Sequence, residues 1–322
     1  MKILYFTSPG EDYLQDQVLI GLREIYDANV IDYPKKEEIY ENFNKPKEEM
    51  YGCGFTIWKI MPDIHIDREN IIGRIKENEF DIIVFGSIRR QKMFFTRFRL
   101  SNIFNRIRSK ICFLDGQDNN KLFIPSFFYG KYFKRELKKT FGLPFIRQIN
   151  FSIPDKKIRQ QPGKKINKFA KHVQCDEAYK IKEIKEYCQP RYAFSDEEAY
   201  YDDIAVSEYA VTMKKGGWEC MRHYEIAANG TVPCFYKLEQ KPELCAPHGL
   251  VDMKNVVAFN TADELEEKIN YIKLHSLYPE LQKNSLEWVR NNSCRQTAKR
   301  IVNQVLREKP LNQTHWSLDA RG

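Results

Sequence analysis

The run Asp81-Ile-Ile-Val-Phe85 constrains the fold most. Its apolar residues are continuous rather than alternating. A short strand of that kind is buried on both faces, as in parallel sheets covered by helices. Residues 110–114 repeat the pattern, and 2–6 and 29–33 supply two more strands. Helical periodicity fills the intervals over 13–26 and 68–78. This alternation predicts an α/β fold with a doubly wound parallel sheet. Such sheets bind ligands beyond the carboxyl ends of their strands. Three loops occupy those ends: 7–10, 86–87 and 115–119. Residues 34–66 are polar, with Lys/Glu runs and a Gly-Cys-Gly, and predict an irregular insertion.

Residues 150–170 are rich in Pro, Gly and Lys and predict a domain boundary. A second alternation follows, with a helix at 196–207, a strand at 209–213 and a helix at 219–229. Strands from 231 and at 256–259, a helix at 261–274 and a mainly helical stretch at 278–306 complete it. Thr261 followed by Glu264 has the spacing of a capping box. The expected organisation is a first Rossmann-like domain over 1–155, a second over 170–310, and a tail over 311–322. Two such domains place their ligand-binding ends around one cleft.

The chemistry concentrates in residues 207–235. A strand feeds the loop Lys214-Lys215-Gly216-Gly217, then a helix that stops at Gly230. A basic, glycine-containing loop before a helix N-terminus is an anion site, because free N–H groups and the helix dipole face the ligand. Gly216 and Gly217 supply backbone freedom and close approach of a phosphate. Arg222 and Glu225 lie three apart and share a helix face. A cation beside a carboxylate suits a nucleoside diphosphate, the cation toward phosphate and the carboxylate toward ribose. Arg222 is a phosphate contact or an ion-pair partner of Glu225, and one of Lys214 and Lys215 touches phosphate. Tyr224 and Trp218 stack on a base or pack in the core. His223 reads as structurally satisfied.

The chain has 322 residues, 42% of them hydrophobic and 13% aromatic, enough for about two packed domains. It has no apolar run long enough to span a bilayer. The first residues read as a strand and not a signal peptide, so a cytoplasmic protein is expected. Its eight cysteines show no metal-ligand spacing and read as free thiols. Residues 89–110 carry eight Lys/Arg and no acid. Leu100, Ile103, Phe104 and Ile107 there follow helical spacing. A helix packed on the sheet with a solvated basic face, or a surface attracted to anionic lipid, both fit. No nucleic-acid module is recognisable, and no nucleic acid is expected as a partner.

The segment 209–235 resembles the donor-binding segment of GT-B glycosyltransferases. It is most similar to CgeB-like bacterial enzymes, with a looser likeness to exostosin-type ones. The carrying residues are Arg222-His-Tyr-Glu225-Ile-Ala-Ala-Asn-Gly230-Thr-Val-Pro233. The segments 194–203, 255–259, 262–265, 113–118 and 132–136 also look like family segments. The resemblance implies sugar transfer from a nucleotide-diphosphate sugar to a glycan, glycolipid or other hydroxyl acceptor, in surface polysaccharide or glycoconjugate assembly. It implies that Glu225 contacts the donor ribose, and that Arg222 and Lys214 face the diphosphate. Gly217 stands where the family's two-glutamate motif has its first acid, and Gln117 stands where relatives often have one.

If the reaction inverts configuration, a general base is needed, and Asp115 and Asp118 are the best-placed acids. As a turn, the same residues bond their own backbone. No Asp-x-Asp pair stands at a strand end, so a metal-independent transferase without a resident cofactor is expected. A glycosyltransferase-like binding or assembly protein without turnover is the alternative. A nucleic-acid-associated protein, resting on the basic stretch alone, is a third.

Overall fold

The computed structural model describes residues 1–139, 142–190 and 193–307. The tail expected over 311–322 lies outside them. In the first unit β1 (Ile3–Phe6), α1 (Tyr13–Tyr26) and β2 (Val30–Tyr33) come first, then α2 (Ile71–Lys76) and β3 (Ile82–Phe85). α3 (Lys92–Leu100), β4 (Lys110–Asp115), β5 (Lys131–Lys134) and β6 (Ile146–Gln148) follow. The strands form one six-stranded sheet in the order β2-β1-β3-β4-β5-β6. It is parallel throughout, with Ile3 opposite both Val30 and Ile82. Every residue of β1 and β3 is buried, as continuous apolar runs require.

The second unit is built from β7 (Asn167–Phe169), α4 (Lys182–Tyr187), α5 (Glu197–Ala205), β8 (Ser207–Met213), α6 (Met221–Ala228) and β9 (Val232–Tyr236). β10 (Val257–Phe259), α7 (Ala262–Leu274), α8 (Tyr278–Asn291) and α9 (Cys294–Leu306) complete it. Its four-stranded sheet is also parallel, in the order β10-β9-β8-β7. Two parallel sheets with helices bear out the expected α/β class. Gly230 ends α6 with φ +68°, the left-handed conformation expected of a glycine stop. Thr261 Oγ1 accepts from Glu264 N at 3.2 Å, and Glu264 reaches back to Asn260 N at 2.8 Å. The reciprocal bond thus falls one residue earlier than in a simple capping box.

α9 leaves the second sheet and packs along α1. Gly21 makes that contact, because a Cβ there would collide with the Cys294 carbonyl oxygen. Cys294 N donates to Ile153 O at 2.8 Å beside the joint. One apolar cluster runs from Leu14, Val18 and Leu22 through Ala298, Ile301 and Val302 to Tyr224 and Ala227. The first sheet therefore shares a core with α6, α8 and α9, while the strands of the second sheet pack in clusters of their own.

Two local expectations are corrected and a third holds. The basic stretch is not one amphipathic helix. α3 ends at Leu100, which is exposed, and Asn102 turns left-handed with φ +58°, so Ile103 and Phe104 are buried from a separate short turn. Residues 34–66 form only short 3-10 turns, as an irregular insertion should. They are also built into the shared core, where Ile39, Tyr40, Ile57 and Trp58 are buried. In residues 132–139 the basic pair Lys134 and Arg135 reads either as part of a helix with solvated charges or as a cleft lining, and Arg135 does line the cleft. The segment contains β5, and Lys134 and Arg135 are buried because acceptors from neighbouring loops surround them.

Candidate active site

A cleft of about 620 Å³ opens where the carboxyl ends of the two sheets approach each other. The loops after β1, β3 and β4 contribute Asp12, Arg90 and Gly116–Asn119. The other side contributes Lys215, Gly216, Glu219, Arg222 and Glu225. Residues 51–58 of the insertion close one wall with Tyr51, Phe55 and Trp58.

The β8–α6 loop lies as the sequence suggested, with different partners. Lys215 Nζ donates to Gln174 Oε1 at 2.6 Å at the cleft, and burial holds its pKa below the ordinary lysine value. Lys214 turns outward and sits 5.3 Å from the Trp218 ring centre. Neither Gly216 nor Gly217 has a positive φ, so backbone freedom is not their reason. Close approach is. A Cβ on Gly216 would stand 2.6 Å from Asp118 Oδ2, and one on Gly217 would collide with Glu136 Oε1.

Arg222 and Glu225 share a helix face but meet through Tyr200. Arg222 donates to the Tyr200 hydroxyl at 2.9 Å, and that hydroxyl donates to Glu225 Oε2 at 2.9 Å. Thr56 Oγ1 donates to the other Glu225 oxygen, so both are occupied. Burial raises the Glu225 pKa against the opposing effect of those two hydroxyls. Arg222 also donates to Val211 O at 3.2 Å and to His172 O.

Of the two roles open to Tyr224, the structure shows core packing: it does not line the cleft, which corrects its place among the donor-binding residues. It is fully buried, stacks on Trp288 with ring centres 5.0 Å apart, and donates its hydroxyl to Glu219 Oε1. Its position in α6 turns it into the shared core. His223 is satisfied as expected, between Thr212 Oγ1 at 2.8 Å and Trp218 O at 3.2 Å. Burial pushes its pKa down to about 4, so the ring is neutral.

Asp115 and Asp118 have opposite surroundings. Asp115 is fully buried, accepting from Lys134 Nζ at 2.9 Å, Gln117 N at 3.2 Å and the Tyr132 hydroxyl. No free oxygen of it lines the cleft. Asp118 is half exposed in the cleft wall and pairs with Arg135.

Sequence reasoning offered Arg135 as a cleft lining but missed that it ties the two sides together with Glu136 and Glu219. Arg135 lies 4.3 Å from the Phe151 ring centre and donates to Gly116 O at 3.0 Å and Glu219 O at 3.2 Å. Glu136 Oε1 accepts from Trp218 N at 2.9 Å. Glu219 is buried in the cleft wall. One of its oxygens takes Phe151 N at 2.9 Å and the Tyr224 hydroxyl, the other has no hydrogen-bond partner among the described residues, and burial raises its pKa to about 7. In the first unit Asp12 caps α1 through Gln15 N and accepts from Ser87 Oγ at 2.9 Å. The adjacent pair Arg135-Glu136 after an aromatic strand was the one local signal available.

No family model matches the chain, and no curated protein matches its sequence. Solved structures do match its fold. A glycosyltransferase from Rickettsia africae superposes with a TM-score of 0.57 at 11% identity, over 96% of this chain and 99% of that one. Anabaena HepE, solved with UDP-glucose, gives 0.52 at 10% identity over 94% and 98%. An alpha-glucosyltransferase, solved with UDP and a mismatched 13-mer DNA, gives 0.52 at 10% identity over 95% and 99%. The fold is that of the GT-B glycosyltransferases. At these identities the likeness concerns architecture, so the GT-B cleft above has to be read from its own residues.

Proposed function

We propose that the chain transfers a sugar from a nucleotide-diphosphate donor to a hydroxyl acceptor, with the donor held on the second-sheet side of the cleft. One observation carries the reading: the Lys215–Glu225 segment brings a cation, a glycine loop and a helix N-terminus to a GT-B cleft at the strand ends. Lys215 and the α6 N-terminus face the diphosphate, and Arg222 holds the Tyr200 hydroxyl between itself and Glu225. These positive groups stabilise the leaving diphosphate without requiring a divalent ion. Glu225 meets the ribose once Thr56 withdraws from it. Asp118 is the acid placed to take the proton of an acceptor hydroxyl, and Asp115 positions it through the shared loop. The CgeB-like likeness of 209–235, a glycan or glycolipid acceptor and a role in surface glycan assembly belong to this proposal. So do the domain limits at 155 and 170 and a cytoplasmic site of action.

A thermal-shift titration with UDP, GDP, CDP, ADP and dTDP tests it. A ligand of the folded state adds about 2.7 kcal/mol of stability at a hundred times its dissociation constant. One nucleotide should raise the midpoint, undiminished by EDTA and much reduced in Lys215→Ala and Glu225→Gln. A second reading, a GT-B binding protein without turnover, draws on the two Glu225 oxygens being filled by Thr56 and Tyr200. No shift with any nucleotide at millimolar concentration would favour it.

A further inference from the structure

Residues 89–135 hold twelve Lys/Arg and two acids, Asp115 and Asp118. Neither acid offsets the surface charge, because Asp115 is buried on Lys134 and Asp118 pairs with Arg135. Among the described residues, Lys92, Arg97, Arg99, Arg106 and Arg108 have no carboxylate partner within ion-pair distance. The same stretch of chain exposes large apolar side chains: Met93 and Leu100 at 74%, Phe128 at 68% and Ile124 at 61%. Met93, Arg97 and Leu100 stand at i, i+4 and i+7 of α3, one stripe of the helix. The opposite stripe, Phe95 and Phe98, is buried against the sheet. The turn holding Ile124 and Phe128 packs beside α3. Lys92 Nζ lies 5.8 Å from the Phe123 ring centre, and Phe95 is 5.5 Å from Phe123 and 5.7 Å from Tyr129. The turn with Ile124 and Phe128 thus flanks the helix that carries Met93 and Leu100, and Lys92, Arg97 and Arg99 of that helix have no carboxylate partner among the described residues.

We propose that this surface docks the protein on an anionic lipid bilayer. Met93, Leu100, Ile124 and Phe128 enter the boundary between headgroups and acyl chains, and Arg97, Arg99, Arg106 and Arg108 lie against headgroup phosphates. The combination selects the partner. Separate flexible apolar side chains gain from a fluid apolar phase, and the cations gain from anionic headgroups. A polyanion such as nucleic acid would use the arginines and leave the methionine and leucine in water. The loops before α3 and after β4 supply Arg90 and Asn119 to the cleft, while Arg106 and Arg108 precede β4 at the other end of the strands, so the surface runs along the side of the sheet from the cleft downward. The docking does not depend on sugar transfer.

Co-sedimentation of the full chain with phosphatidylcholine vesicles, with and without phosphatidylglycerol, tests the proposal. Binding is expected with phosphatidylglycerol only. Each basic residue near such a surface adds roughly a fivefold factor. A variant carrying Arg97→Glu, Arg99→Glu, Arg106→Glu and Arg108→Glu should therefore lose more than about tenfold. Met93→Ser, Leu100→Ser and Phe128→Ser together should also lose about tenfold, with unchanged circular dichroism, since all three side chains are exposed. Absence of vesicle binding by the unmodified chain overturns the proposal. So does full binding by the apolar triple variant, which would mean attraction to any polyanion, with heparin as the comparison. A dimer in light scattering that the triple variant abolishes would make the face a contact between copies and overturn it as well.

Discussion

Glu219 carries its proton further up the pH scale than an ordinary carboxyl because burial disfavours its charge. Arg135, Tyr224, His223 and the Phe151 N–H, all facing it, only partly oppose that. Its folded pKa of about 7 lies above the ordinary value of 4.5. Between those values the folded state binds more protons than the unfolded chain, so its contribution to stability falls as pH rises through that window. Glu219→Gln keeps the shape and removes the ionisation. The variant should gain on the wild type from pH 5 to pH 8, by an amount on the order of 1–3 kcal/mol. Urea unfolding of both proteins at the two pH values measures this. The comparison between proteins is essential, because Glu24 is raised to about 7 and Asp16 to about 6, and they titrate in the same window. A constant gap between the two proteins would sink the idea. At the glycine loop, Gly217→Ala forces a Cβ into Glu136 Oε1. The carboxylate can swing aside only by giving up Trp218 N, so the cost should be about 1 kcal/mol, seen as a lower melting midpoint. The cost should shrink in a Glu136→Ala background if that contact is the cause.

The insertion over 34–66 behaves as a core element without regular structure. Trp58 is fully buried and donates to Asp16 Oδ2 at 3.1 Å, and Lys36 Nζ lies 3.5 Å from Asp16 Oδ1. Trp58→Ala should cost about 3–5 kcal/mol, read from the urea midpoint. A loss below about 1 kcal/mol would make the segment a peripheral strap. Elements whose cause is local were legible in the sequence. α1 has the predicted limits of 13–26, Gly230 stops α6, and Thr261 caps α7. β5 was not legible, because charged residues at its ends read as solvated. The acceptor that buries Lys134 is Asp115, on the neighbouring strand. The same holds in the site. Glycine loop, helix and Glu225 could be placed from sequence, but Thr56 reaches Glu225 across 169 residues, a contact no local pattern contains. The lysine pair was separable only in three dimensions, with Lys215 toward the cleft and Lys214 over Trp218.

At the scale of the molecule the two units are joined by helix packing as well as by a linker. α9 fills the groove of α1 with Ala298, Ile301, Val302 and Val305, while α6 and α8 add Tyr224, Ala227, Trp288 and Val289 to the same cluster. A large apolar junction of this kind opposes the independent domain motion expected of small polar interfaces. The GT-B cleft is therefore reshaped more readily by its loops than by separation of its halves. Thr56 leaving Glu225 is a smaller movement than parting α1 from α9. Unfolding should then be cooperative across both units. Trp58 reports on the first, and Trp218 and Trp288 on the second. In a variant keeping only Trp58 of these, Trp218→Phe with Trp288→Phe, and in Trp58→Phe, the urea curve from tryptophan fluorescence should coincide with that variant's own far-UV circular dichroism curve. Ile301→Ala should lower the midpoint seen by both reporters together, by about 2–5 kcal/mol of stability. If the first-unit reporter moved alone, the shared core would not be what couples the sheets, and closure of the whole cleft would return as the motion that admits a donor.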